Sequence, residues 1–259
     1  MGNEMRSFQK DALRVRVYAT RAEMGAAAAA DGAALLRKLL SQQSAVRCVF
    51  AAAPSQNEFL QALCAAPGID WSRVTAFHMD EYIGLDAAAP QGFGNFLKER
   101  IFGRVPFAAV HYLAGGAADI EAECARYTAL LNEAPIDIVF MGIGENGHIA
   151  FNDPPVANFN DPCTVKRVAL DETCRSQQVH DGCFATLDDV PTHALTLTVP
   201  ALAGARYQLC IVPAPTKAQA VRDTLEGPVS TACPASILRK CADSVLYLDA
   251  DSAGLLTEG

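Results

Sequence analysis

The chain has 259 residues, 51% of them hydrophobic, and 29 acidic against 21 basic side chains give a formal net charge of −8. A chain of this size buries most of the surface its unfolded form exposes, so one large domain over residues 1–259 is expected. The dispersed acidic excess argues against nucleic acid as a partner, which needs a concentrated basic face, and admits a small anion only where a few Lys or Arg side chains focus in one cleft.

Cysteines at 48, 64, 124, 163, 174, 183, 210, 233 and 241 form no CxxC pair and no regular spacing. They are read as reduced packing thiols of a cytoplasmic protein, with no metal site. No run approaches the roughly 20 apolar residues of a membrane span. The charged start Met1–Arg6 lacks the apolar core of a signal peptide, and Arg6 stands where a myristoylation pattern wants Ser or Thr. No membrane partner is expected.

In chain order, Val15–Ala19 reads as a strand and the Ala-rich Arg21–Leu40 as an ordinary helix. The strand Val46–Ala51 precedes a helix Asn57–Leu63, Val74–Met79 precedes Gln91–Ile101, and Ile120–Leu131 leads into the strand Ile136–Met141. Strands Val165–Leu170, Ala194–Val199 and Gln208–Val212 follow, then a helix Ala218–Leu225 and a last strand Ser244–Leu248. This alternation predicts an α/β fold: a Rossmann-like open, mostly parallel sheet flanked by helices, in a single domain. The Pro- and Asn-rich stretch Asn152–Pro162 reads as a loop long enough to cover a site.

Ligands of open parallel sheets bind beyond the carboxyl ends of the strands, which directs attention to the residues after Ala51, Met79, Met141 and Val212. After Ala51, Ser55 and Glu58 have the spacing of a capping box, while Ser55 and Gln56 are candidate substrate contacts. After Met79, Asp80 and Glu81 are adjacent carboxylates at the end of an apolar strand. Such a carboxylate is either the cap of a turn or, in a partly desolvated cleft, a base that removes a proton beside a carbonyl.

After Met141, glycines 142, 144 and 147 formally satisfy G-x-G-x-x-G, but His148–Phe151 runs straight into Asn152-Asp153-Pro154-Pro155, which breaks the helix a dinucleotide site requires. The better reading is a glycine-permitted turn that brings an imidazole to a small ligand, with Asp153 near enough to orient His148. An isolated loop histidine usually only hydrogen-bonds its own turn; the density of Glu145, Asn146, Asn152 and Asp153 around this one favours proton transfer. After Val212, the turn Pro213–Lys217 offers free N–H groups and a cation, a cradle for phosphate. His78, His111, His180 and His193 lack acidic or cysteine partners at ligand spacing and are expected at the surface or in satisfied structural positions.

The runs Phe77-His78-Met79-Asp80-Glu81-Tyr82-Ile83-Gly84-Leu85 and Gly144-Glu145-Asn146-Gly147-His148-Ile149-Ala150-Phe151-Asn152-Asp153-Pro154 closely resemble the glucosamine-6-phosphate deaminase/isomerase family. The resemblance covers nearly the whole chain, including Asp119–Tyr127 and the region of Lys217, and extends more distantly to 6-phosphogluconolactonases. It implies that Asp80 moves a proton between the first two sugar carbons through an enediol-like intermediate, after His148 helps to open the ring. Asp153 falls where relatives usually carry Glu, and Asn146 where they commonly carry Asp; an amide there lowers the proton affinity of the histidine. Lys217 matches the family's phosphate lysine. Ala53–Glu58 replaces a Thr-Gly-Gly-Thr type loop, and Arg175, in Thr173–Gln178, is the candidate for the phosphate arginine.

The resemblance implies a sugar-phosphate substrate and no metal or redox cofactor, and leaves a homo-oligomer open. Besides an isomerase or deaminase, two alternatives stand at this point: a lactonase-like hydrolase in which His148 activates water, and a sugar-phosphate sensor without turnover. Dependence on Asp80 separates the first from the lactonase, and solvent-proton exchange at the second carbon excludes the sensor.

Overall fold

The computed structural model describes residues 4–257; Met1–Asn3 of the charged start lie outside the described residues. The first half runs β1 (Glu4–Lys10), β2 (Leu13–Tyr18), α1 (Arg21–Gln42), β3 (Val46–Phe50), α2 (Asn57–Ala65), β4 (Val74–His78), β5 (Asp80–Tyr82), α3 (Phe93–Leu97), β6 (Ala109–His111) and α4 (Ile120–Asn132). The second half runs β7 (Ile138–Met141), β8 (Val165–Ala169), α5 (Glu172–His180), β9 (His193–Leu197), α6 (Val199–Ala203), β10 (Tyr207–Val212), α7 (Ala218–Glu226) and β11 (Ser244–Asp249). Eight strands form one sheet in the order β1-β2-β11-β10-β7-β3-β4-β6, parallel throughout except for the β1–β2 hairpin. The expected open, mostly parallel sheet with flanking helices is the observed architecture.

The sheet is buried on both faces, which is why its strands read as continuous apolar runs. Phe50, Phe140, Ile211 and Tyr247 pack with α1 and α2 on one side; Val49, Phe77, Val139, Val212 and Leu248 pack with α4 and α7 on the other. The Ala-rich segment is the helix α1, opened by Thr20, whose side chain accepts the Glu23 N–H. Its small residues permit a close crossing: a Cβ at Gly25 would stand 2.7 Å from the Glu58 Cβ on α2.

Two of the expected strands belong elsewhere. β8 and β9 pair antiparallel with each other and with β5 in a separate three-stranded sheet, order β5-β9-β8. The sequence also left β1, β5, β6 and α5 unassigned. β1 is a half-exposed edge strand, β5 and β6 are three residues long, and α5 is mostly polar, so none carries a legible period. The helix expected over Gln91–Ile101 is shorter, Phe93–Leu97, and widens into a π-type turn at Lys98–Phe102. No helix among the described residues is long and apolar enough to cross a membrane.

Sheet order explains where the cleft forms. From β3 the chain crosses through α2 to β4 on one side, and from β10 through α7 to β11 on the other, with β7 between β3 and β10. The carboxyl ends of β3, β7 and β10 therefore surround a switch point of the topology, where a crevice opens.

Candidate active site

One cavity at these strand ends is lined by Ser55, Gln56, Asp80, His148 and Lys217, together with Phe93, Phe151, Gln177 and Gln178. Five of the expected site residues thus converge, from four separate strand ends. The small sheet is what joins them. Asp80 pairs with Thr196 in β9, and the Leu197 N–H donates to Met79 O at 2.7 Å. The same strand end receives the other motif: Phe151 N–H donates to Thr196 Oγ1 at 3.1 Å, and the Asn152 amide donates to Leu197 O at 2.8 Å.

Asp80 and Glu81 point to opposite sides because side chains alternate along a strand. Glu81 turns away from the cavity and caps α3, its oxygens accepting the N–H groups of Tyr82, Phe93 and Gly94 at 2.9, 3.0 and 2.8 Å. That capping brings Phe93 to the cavity wall. Asp80 faces the cavity and is only 6% exposed. Its burial, and then the neighbouring Glu81 charge, push its pKa well above the usual carboxylate value, as suits a base for carbon acids.

The His148 loop is shaped by glycine. Gly147 sits at φ +82°, and a Cβ at Gly144 would overlap the His148 imidazole. Behind the ring, Nδ1 lies 2.8 Å from Asn146 Oδ1 and 2.9 Å from Asp153 Oδ1. Both atoms are acceptors, so Nδ1 carries the proton and Nε2 is the nitrogen left for a substrate. The Asn146 amide donates to Asp153 Oδ1 at 3.0 Å and lies 3.4 Å from Asp171 Oδ2, which fixes the direction of its oxygen toward the imidazole. Burial acts to raise the Asp153 pKa, but the His148 hydrogen bond and charge and the Asn146 amide outweigh it and hold the carboxyl below its ordinary value.

His148, Asp153 and Cys174 place possible metal-ligand atoms within 4.8 Å of one another. The His148 nitrogen on that side is already committed to Asp153 and Asn146, and burial drives the Cys174 thiol well above its usual pKa, away from the thiolate a metal binds. The donor set fits a proton relay better than an ion.

Lys217 is 5% exposed and pairs with no carboxylate among the described residues. Burial lowers its pKa, partly offset by the more distant charges of Asp181 and Glu145. A buried ammonium without an ion pair, at the wall of a polar cavity, is costly where it stands and would be stabilised by an anion entering that cavity.

Three expectations are corrected here. Arg175 does not line the cavity; its guanidinium donates to the carbonyls of Leu187, at 2.7 Å, and Val190, at 3.0 Å, because α5 turns that face toward the Leu187–Val190 segment. The residues of α5 that do line it are Gln177 and Gln178, hidden from the sequence reading in a helix without an apolar stripe. The Ser55–Glu58 capping box does not form: Ser55 Oγ accepts from the Gln56 amide at 3.1 Å, and Glu58 pairs with Arg21 at 2.7 Å. The loop Asn152–Pro162 does not cover the cavity; Asn152 and Asp153 are fully buried anchors of the His148 turn, and no residue from 152 to 162 lines the wall. Gln56 is constrained as well, since its amide N–H groups are taken by Ser55 and by Ile211 O at 3.1 Å.

His78 bears out its structural assignment: it is fully buried, with Nδ1 2.9 Å from Asp80 O and Nε2 accepting the Leu113 N–H at 2.9 Å. His180 lies at the surface, 3.3 Å from Glu145.

The family model described as glucosamine-6-phosphate isomerases/6-phosphogluconolactonase matches residues 19–247. The chain is 38% identical over 202 residues to a glucosamine-6-phosphate deaminase of Listeria monocytogenes, covering 78% of this chain and 84% of that protein. It is 37% identical over 190 residues to the glucosamine-6-phosphate deaminase of Exiguobacterium sibiricum, covering 73% of each. Among solved structures, a monomeric glucosamine-6-phosphate deaminase superposes with a TM-score of 0.85 at 28% identity, over 93% of this chain and 99% of that one. The 6-phosphogluconolactonase of Trypanosoma brucei shares the fold at 18% identity, with a TM-score of 0.76 over 97% of this chain and 100% of that one. With the model matching most of its length, the chain belongs to the glucosamine-6-phosphate isomerase/6-phosphogluconolactonase family.

Proposed function

We propose that the protein is an aldose–ketose isomerase and deaminase of an amino sugar phosphate of the glucosamine 6-phosphate kind. The observation that carries this is one cavity holding a desolvated carboxylate, Asp80, an imidazole with its outer nitrogen free, His148, and an unpaired buried ammonium, Lys217. Curated relatives named glucosamine-6-phosphate deaminase support the substrate class.

In this reading Lys217 holds the phosphate and Ser55 and Gln56 contact the sugar. Gln56 meets a hydroxyl or amino hydrogen, because its own donors are spent on Ser55 and Ile211. His148 moves a proton at the ring oxygen through Nε2, with Asp153 and Asn146 stabilising and orienting the ring behind it. In the open-chain aldose Asp80 takes the proton from the second carbon and returns it to the first. The carbonyl oxygen on the first carbon takes up a proton and becomes a hydroxyl, the amino nitrogen gives one up, and the nitrogen ends doubly bonded to the second carbon. Water adds there and ammonia leaves, giving the ketose phosphate. The groups that act are all side chains of this chain, and a cytoplasmic setting suits its nine free thiols.

Incubation with glucosamine 6-phosphate and assay of ammonia and ketose phosphate is the test. Equimolar release of both, abolished in Asp80→Asn, is expected; no product from high concentrations of folded wild type would rule out this substrate.

A further inference from the structure

The turn that carries Lys217 is held from behind. β10 ends at Val212, and Ala214 adopts φ 86° and ψ 149°, a backbone region that residues with a side chain rarely enter. The Ala214 N–H points at both carboxylate oxygens of Asp249, at 3.2 and 3.1 Å. Asp249 is the last residue of β11, the strand beside β10, and is buried. Its Oδ1 also accepts the Ser252 N–H at 2.8 Å, and its own N–H donates to Ser252 Oγ at 3.2 Å.

No Lys or Arg pairs with Asp249 among the described residues. A buried carboxylate that accepts charge-assisted hydrogen bonds from backbone N–H groups holds those groups in place. What it fixes is the entry to the turn Pro215–Lys217, where the Lys217 N–H closes back on Ala214 O at 3.1 Å. Without a partner for its N–H, Ala214 has no reason to leave the common backbone regions, and a rotation there re-aims the turn that follows.

We propose that Asp249 is a positioning residue for the anion site: by holding Ala214 in this left-handed conformation it directs the Lys217 ammonium into the cavity. The inference rests on the reading of Lys217 as the phosphate group's partner, and Asp249 itself touches no substrate.

Two readouts test it: steady-state kinetics with glucosamine 6-phosphate, and calorimetric binding of inorganic phosphate, which needs no turnover. In Asp249→Asn the amide N–H opposes the Ala214 N–H, and KM and the phosphate Kd are expected to rise together by about tenfold with kcat within about threefold. Adding Ala214→Gly, which tolerates φ 86° without strain, is expected to return both most of the way to wild type. Ala214→Val leaves Asp249 intact but adds strain at the same bond, so it is expected to weaken phosphate too, and it serves if Asp249→Asn does not fold. Unchanged KM and phosphate Kd in folded Asp249→Asn or Ala214→Val would overturn the inference, as would failure of Ala214→Gly to restore them. Lys217→Met separates the two levels. Unaltered phosphate binding in Lys217→Met removes the anion-site reading itself, whereas weakening there with none in Asp249→Asn removes only the positioning role.

Discussion

The Nδ1 proton of His78 is donated to the carbonyl oxygen of Asp80 at 2.9 Å, so a buried histidine two residues upstream fixes the strand end from which the candidate base projects. Its Nε2 accepts the Leu113 N–H, which sets the tautomer, and burial lowers its pKa to about 4, so the ring is neutral at working pH. His78→Leu leaves a buried carbonyl and a buried N–H without partners. A loss of about 2–4 kcal/mol is expected in denaturant unfolding, with a fall in kcat as Asp80 loosens.

Asp80, the base of the proposed mechanism, stands where burial makes its charge costly to stability. Its folded pKa lies above the unfolded value, so above about pH 3.9 the native state holds more protons than the unfolded one and stability falls as pH rises toward the folded pKa. Asp80→Asn removes that penalty. The variant is expected to lose nearly all turnover while melting higher than wild type at neutral pH, by about 2–4 °C per kcal/mol relieved, with the gap closing below pH 4. Thermal melts at pH 4 and pH 7 check it.

Asn146 is suited to its place by the two acids it faces. Its amide spans Asp153 and Asp171, so Asn146→Asp would set three carboxylates together behind His148. That variant is expected to lose about 1–3 kcal/mol of stability in denaturant unfolding, because a third carboxylate is crowded against two others in a largely buried site. Asp153 has the opposite linkage to Asp80: its folded pKa is depressed, so its stabilisation is present above the unfolded value and lost as pH falls through the folded one.

Much of this was legible before the structure. The parallel sheet follows from its two-sided burial, and the positions of Asp80, His148, Asp153 and Lys217 follow from motifs placed at strand ends. What escaped was set by tertiary pairing. β5 has three residues and exists because β9 pairs with it; α5 hides Gln177 and Gln178 in a polar helix; Arg175, the candidate arginine, lies in the same helix, whose phase the sequence does not reveal. Asp249 stands at an ordinary strand end in the sequence, and only the backbone angle of Ala214 marks it.

Lys217, the proposed partner of the phosphate, is a buried cation without an ion pair among the described residues. With its folded pKa depressed, it destabilises the unliganded protein at neutral pH, and this cost fades only as pH rises toward its unfolded value. Lys217→Met is expected to melt above wild type without ligand. Saturating phosphate should raise the wild-type midpoint, by about 2.7 kcal/mol of stabilisation at a hundredfold excess over Kd, and leave the variant unmoved. Differential scanning calorimetry with and without phosphate decides it.

Proton exchange at the second carbon of glucosamine 6-phosphate in heavy water, followed by NMR, addresses the role of Asp80 most directly. Wild type should wash deuterium into the sugar or carry it into the ketose phosphate, while Asp80→Asn with intact phosphate binding should do neither. Exchange that persists at the wild-type rate in Asp80→Asn would show that another group removes the proton.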